Sequence, residues 1–297
     1  MSTTSVSSGL QVTGWKSLGK NLPPIRWLIK PILMESGMMM LAGPSGAGKS
    51  QMAMQLAAKL TIGASDWAGY KIDTHGATQK VVYLSLEMNE QGVNEFTDKM
   101  EAVFPADVHD VLDKQVLFFA SYESFKLDLE PPQGTARRKL EQFLTATPDI
   151  TGIVVDTLGA ASDGGLLDEV KVRRTVSWLK HIRAKYNVWI ILLAHTRKES
   201  TDVKRREWVL DDIYGVQAIQ ADLDTAFILH ELTRNSILRL VNVKTRYGPK
   251  ADGVNLRRNS QTLWLERTSE GVKLDEKLDK TEIKDDDDFD LEADDWS

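Results

Sequence analysis

The stretch Gly43-Pro44-Ser45-Gly46-Ala47-Gly48-Lys49-Ser50 constrains this chain more than any other. It follows an apolar run, Met38 to Ala42, and leads into Gln51 to Leu60, a segment rich in Ala, Met, Leu and Gln. The order is strand, glycine loop, helix, with the spacing G-x-x-x-x-G-K-S of a phosphate-binding loop. Glycines let the backbone curl so that successive N–H groups point at phosphate oxygens, and the helix N-terminus adds its positive dipole end. The residues expected to hold nucleotide are therefore Gly43, Pro44, Ser45, Gly46, Ala47, Gly48, Lys49, Ser50 and Gln51. Lys49 is expected to reach the β- and γ-phosphates, and the Ser50 hydroxyl to ligate Mg²⁺. The expected ligands are ATP and Mg²⁺.

The chain has 297 residues, enough to bury a sizeable core, and no cysteine, which removes disulfides, thiol nucleophiles and zinc-thiolate sites. No apolar run approaches the roughly 20 residues of a membrane helix, and the polar stretch Met1 to Leu10 has no signal-peptide pattern. The expectation is a cytoplasmic protein without a membrane partner. Net charge is −6, but Asp285 to Ser297 holds eight acidic residues and no basic one. Setting those eight carboxylates aside turns −6 into +2 for the preceding 284 residues, a balance that permits a nucleic-acid partner without demanding one.

Buried-type strands are expected at Lys80–Leu86, Gln115–Ala120, Ile150–Val155 and Val188–Ala194, alternating with helices near Val93–Val103, Gly134–Leu144 and Leu166–Lys185. After a polar loop, Thr196 to Glu207, come a short helix near Gly215–Ala221 and consecutive strands near Thr225–Leu229, Ile237–Lys244, Val254–Arg258 and Thr262–Glu266. Alternation followed by consecutive strands predicts an α/β fold, mainly parallel, with antiparallel C-terminal edge strands. The expected organisation is an arm over 1–34, an ATPase domain over 35–268 and an acidic tail over 269–297.

Three strand ends carry polar groups suited to one site: Glu87, Asp156 and His195. Ligands of open α/β sheets sit outside the carboxyl ends of the strands. Asp156 is expected to hold Mg²⁺ together with Ser50. Glu87 is placed to polarise an attacking water as general base, and His195 to contact the γ-phosphate. The alternatives are a helix-capping carboxylate and a structural histidine.

Together these segments resemble the RecA-like ATPases of the hexameric replicative helicases, the DnaB and RepA type. Leu84-Ser85-Leu86-Glu87-Met88 is similar to that family's segment carrying the catalytic glutamate, and Val154-Val155-Asp156 to its acidic metal-binding strand. Gly215 to Asp224 resembles its SGAIEQDAD stretch, although Val216 and Gln217 depart from the Ser-Gly pair. Val243-Lys244-Thr245-Arg246-Tyr247-Gly248-Pro249 resembles its K-x-R-x-G-P segment. The resemblance covers about residues 25 to 267 and implies a RecA-like core and a ring, with Lys244 and Arg246 reaching the neighbouring subunit's γ-phosphate. It also implies a homo-oligomer, with a hexamer expected, that moves on single-stranded DNA as a replicative helicase. The expectation is a minimal core form, without the family's separate N-terminal helical domain.

Alternatives are a recombination or strand-annealing ATPase and a regulatory ATPase without nucleic acid. RecA-like rings place the loops after Asp156 and His195 towards a central channel. Lys198, Lys204, Arg205 and Arg206 in the second are the expected phosphate-backbone contacts, against the plainer reading of a solvated basic loop. The acidic tail, bearing Phe289, Leu291 and Trp296, is similar to tails that recruit replication proteins; a purely solubilising segment is the alternative.

Overall fold

The computed structural model describes residues 23–120, 125–129, 135–163, 165–197, 208–233 and 237–269. A nine-stranded sheet forms its centre. In chain order its strands are β3 (Met38–Gly43), β6 (Val81–Ser85), β7 (Val116–Ala120), β8 (Gly152–Asp156), β9 (Trp189–His195), β10 (Thr225–Thr233), β11 (Ile237–Thr245), β12 (Val254–Arg258) and β13 (Leu265–Arg267). Two small hairpins complete the numbering, β1 (Trp27–Ile29) with β2 (Leu33–Met34), and β4 (Asp66–Trp67) with β5 (Tyr70–Lys71).

Across the sheet the order is β13-β12-β11-β10-β3-β9-β8-β6-β7. The six strands from β10 to β7 are mutually parallel, and β11, β12 and β13 continue antiparallel at one edge. The fold is therefore the α/β architecture expected, a mainly parallel sheet with antiparallel edge strands. The parallel strands β3, β6 and β8 are buried throughout, as continuous apolar runs covered on both faces are.

Because side chains alternate along a strand, β3 feeds two cores. Met38, Met40 and Ala42 enter one, and Met39 and Leu41 the other. The first is covered by α4 (Ala136–Ala146), α5 (Leu158–Ala161), α6 (Glu169–Tyr186) and α7 (Val216–Ile219). The second is covered by α1 (Lys49–Thr61) and by α2 (Glu90–Glu101), with α3 (Ala106–Gln115) beside α1. Asn89 caps α2 by accepting from the Gly92 N–H at 2.8 Å, and Asp168 caps α6 by accepting from Lys171 N–H at 3.1 Å.

Two features depart from the sequence reading. One is α3, whose ten residues carry only Val108, Val111 and Leu112 at helical spacing, among three aspartates, and bury no side chain. The other is the last strand, which begins at Leu265 rather than Thr262, since Leu263 adopts a left-handed φ of 59° that interrupts extended backbone. The hairpin β1–β2 lies within residues 1–34, a stretch too apolar there for a free linker, and Leu28, Ile29, Ile32 and Leu33 are buried in the second core. Among the described residues no helix is long and apolar enough to cross a membrane.

Candidate nucleotide site

The strand register brings the expected groups together. Gly43 at the end of β3 pairs with His195 at the end of β9, and Ser85 of β6 pairs with Asp156 of β8, which places Glu87 just beyond. Ser45, Gly48, Lys49, Ser50, Gln51, Glu87, Asp156 and His195 line one pocket of about 160 Å³, joined by Phe96 and Thr157.

The glycines of the loop serve different purposes. Gly46 and Gly48 take left-handed φ values of 77° and 93°, which glycine adopts at little cost. Gly43 instead permits close approach, for a Cβ there would sit 2.2 Å from the Leu229 carbonyl oxygen of β10. Lys49 is buried and donates from Nζ to the carbonyls of Gly43 at 3.0 Å and Pro44 at 2.8 Å. Burial pushes its amine below the ordinary lysine value, while Asp156 and Glu87 pull it back. The ammonium is folded onto its own loop, held by acceptors that a phosphate oxygen can replace.

His195 links Lys49 to Glu87. Its Nδ1 lies 3.3 Å from Lys49 Nζ and its Nε2 lies 3.6 Å from Glu87 Oε1. Since the ammonium has only protons to offer, Nδ1 accepts and Nε2 carries the proton toward the carboxylate. Glu87 also accepts from the Thr157 hydroxyl at 2.6 Å. His195 first, then Thr157 and Lys49, hold Glu87 below the usual carboxylate range against the opposing effect of partial burial. An ionised carboxylate with an oxygen turned to the pocket is the protonation state a general base requires.

Asp156 is almost fully buried, and desolvation raises it above the ordinary aspartate value. Ser50 and Tyr83 oppose that shift by donating to it, the Tyr83 hydroxyl at 2.7 Å. Burial pushes the Tyr83 phenol well up, so it remains a donor. A buried carboxylate beside a serine hydroxyl fits Mg²⁺, which usually takes one or two carboxylates and leaves its other positions to water and phosphate. In keeping with that sparse donor set, no group of three or more His, Cys, Asp or Glu residues that could hold a metal occurs among the described residues.

Two buried polar atoms flank Gly48 without hydrogen-bond partners among the described residues, Gln51 Oε1 and Arg258 Nε. Arg258 also donates to the Gly46 carbonyl at 3.2 Å. A donor and an acceptor left unmade at the loop fit a polar ligand seated there.

Arg246 and Lys244 lie elsewhere. Thr245 pairs with Thr225, which pairs with Met39, at the end of the parallel strands opposite the loop. Strand geometry puts that point about 16 Å from Gly43. Arg246 donates to the carbonyls of Ala221 and Leu223 and approaches Asp224, while Lys244 donates to the Gln220 carbonyl. Lys198, Lys204, Arg205 and Arg206 lie outside the described residues, as does the acidic tail.

Sequence reasoning missed Thr157, Tyr83, Phe96 and Arg258. Thr157 follows Asp156 directly and was findable by position. Tyr83 reads as one more apolar strand residue. Arg258 is 212 residues from its Gly46 partner, so only the folded sheet joins them.

Comparisons with known proteins follow the same line. A family model described as AAA domain matches residues 6–201. No curated protein matches the sequence. Among solved structures, one determined for an ATPase domain superimposes with a TM-score of 0.57 at 15% identity, covering 79% of this chain and 85% of that one. A DnaB-like replicative helicase, solved in a study of its interactions with primase, gives 0.58 at 14% identity, covering 78% of this chain and 57% of that one. The RadB recombinase gives 0.51 at 17% identity, covering 78% and 91%. At these identities the likeness concerns the fold, that of RecA-like P-loop ATPases. With the match spanning well over half of its length, the chain belongs to the AAA domain family.

Proposed function

We propose that this protein is an ATP-driven motor on single-stranded DNA, a ring-forming helicase in which each nucleotide is hydrolysed between two subunits. The observation that carries the reading is the convergence of Lys49, Ser50, Glu87, Asp156 and His195 on one pocket, with Arg246 at the far end of the sheet. A pocket holding a P-loop lysine, a metal-binding pair and an ionised carboxylate has the parts for phosphoryl transfer to water except a second cation at the γ-phosphate. In a head-to-tail ring, the neighbour's Arg246, assisted by its Lys244, supplies that cation.

Lys49 exchanges the Gly43 and Pro44 carbonyls for phosphate oxygens when nucleotide enters. Ser50 and Asp156 would hold Mg²⁺, which when bound would supply charge neutralisation at the phosphates. Glu87 orients and deprotonates the attacking water. His195, between Lys49 and Glu87, senses the γ-phosphate and passes the difference to the chain that follows it. Lys198, Lys204, Arg205 and Arg206 in that stretch are the proposed contacts to the DNA backbone.

The test is the ATPase rate with and without single-stranded DNA, read beside oligomer mass with a non-hydrolysable ATP analogue. Stimulation by DNA together with a closed ring is expected, and strand displacement on a forked duplex separates a helicase from an annealing protein. An unstimulated monomer would sink the proposal.

A further inference from the structure

The two helical layers carry opposite charge. α4 and α6 together hold nine basic and two acidic residues, whereas α2 and α3 hold seven acidic and two basic ones. Between α4 and α6 runs an open groove of about 720 Å³ whose walls include Arg137, Arg138, Gln142, Trp178, Lys185 and Tyr186. The Arg137 guanidinium sits 5.5 Å from the centre of the Trp178 ring, and Lys185 Nζ sits 5.1 Å from that of Tyr186. Lys185 also donates to Glu141 at 2.8 Å, while Arg138 is exposed and makes no ion pair among the described residues. The groove thus joins surplus positive charge to aromatic walls. Its guest must be anionic and must bring apolar side chains of its own.

We propose that residues 285–297 of the same chain dock in this groove. The segment has eight carboxylates, with Phe289, Leu291 and Trp296 interleaved among them. The acidic α2–α3 layer repels it and the α4–α6 layer attracts it. Reach is sufficient. From β13 to β8 the sheet spans six strand spacings, about 29 Å, and the helical layer adds about 10 Å. Residues 270–284, fifteen in number, extend to about 50 Å. Tethering supplies an effective concentration in the millimolar range, so a shallow groove suffices. Single-stranded nucleic acid shares the charge but not the tether, so it must reach the groove at its own free concentration. The α2–α3 face of a second copy has the charge, but none of its large exposed apolar side chains is aromatic.

The chain contains no cysteine, so a disulfide reports the contact directly. Full-length protein carrying Gln142→Cys and Ala293→Cys is oxidised at low concentration beside a control carrying Asn94→Cys, on exposed α2, and Ala293→Cys. The groove pair is expected to close an intrachain disulfide at least 10-fold faster than the control. Adding Arg138→Glu, or raising salt to about 0.5 M where screening acts within roughly 4 Å, should each slow it at least fivefold. Equal rates for the two pairs would overturn the proposal. Crosslinking between chains instead of within one would give the groove to a second copy and overturn it too. So would a single-stranded oligonucleotide that shields Gln142→Cys from alkylation while the groove pair stays reduced. None of these readouts requires nucleotide or DNA turnover, so failure here is distinct from failure of the motor reading.

Discussion

The Thr157 hydroxyl donates to Glu87 at 2.6 Å while accepting from the Ala160 N–H at 3.2 Å. The first turn of α5 thereby fixes the direction of a proton, and through it the position of the carboxylate that faces the pocket. Glu87→Gln keeps the shape and loses the base, so kcat should fall about 10²–10⁴-fold with ATP binding retained. A near wild-type kcat would send the search for the base elsewhere.

Thr157→Val tests the positioning role separately. It removes a donor that holds Glu87 low, so the pKa of Glu87 rises and the acid limb of the kcat–pH profile moves toward neutrality. The expected loss is about 10-fold in kcat with KM nearly unchanged, the size of one hydrogen bond to a charged group, and Thr157→Ser should restore both. A uniform fall without movement of the acid limb would mean that Thr157 acts only on folding.

Asp156 gives a stability prediction of unusual sign. Burial raises its pKa in the folded chain, so the native state binds that proton more tightly than the unfolded one. Its contribution is then greatest at low pH and declines as pH rises through the folded value. At neutral pH, without metal, ionised Asp156 costs stability. Asp156→Asn should raise the melting temperature by a few degrees, on the scale of about 1 kcal/mol, and abolish Mg²⁺-dependent hydrolysis. The gain should vanish below about pH 4. A lower melting temperature at pH 7 would show that the Ser50 and Tyr83 hydrogen bonds outweigh desolvation.

Arg246 tests whether the site is shared. Arg246→Ala should bind ATP and hydrolyse it at least 10-fold more slowly, whereas Lys49→Ala should weaken nucleotide binding and abolish hydrolysis. Mixed, the two should recover activity, since some interfaces then pair an intact loop with an intact arginine. Silence in a mixture with proven subunit exchange would return Arg246 to a local role beside Asp224.

Gly152 tests the core beneath the site. A Cβ there would lie 2.0 Å from Trp189, whose indole N–H donates to Gln79 at 3.2 Å and so cannot easily move. Gly152→Ala should cost about 1–3 kcal/mol in urea unfolding, and Trp189→Phe should relieve part of that cost. Additive losses would mean that the strand shifts instead of the ring.

The loop from Gly43 to Ser50 and the apolar runs ending at Asp156 and His195 were legible in the chain itself. Their chemistry depends on residue type at short spacing, and continuous β-branched and leucine runs mark parallel strands buried on both faces. Glu87, Asp156 and His195 could be assigned to one side of the sheet because parallel strands present all their carboxyl ends together. α3 escaped, since Val108, Val111 and Leu112 mark little more than one helical turn and none of its side chains is buried. Thr157, next to Asp156, was within reach of the sequence. Only the tertiary structure decided that Tyr83 and Arg258 surround the site, because contacts between strands depend on strand order, which local spacing does not encode. The same holds for Arg246. Its distance from the loop of its own chain follows from β11 running antiparallel beside β10, a pairing set by which sheet edge was left open for the C-terminal strands.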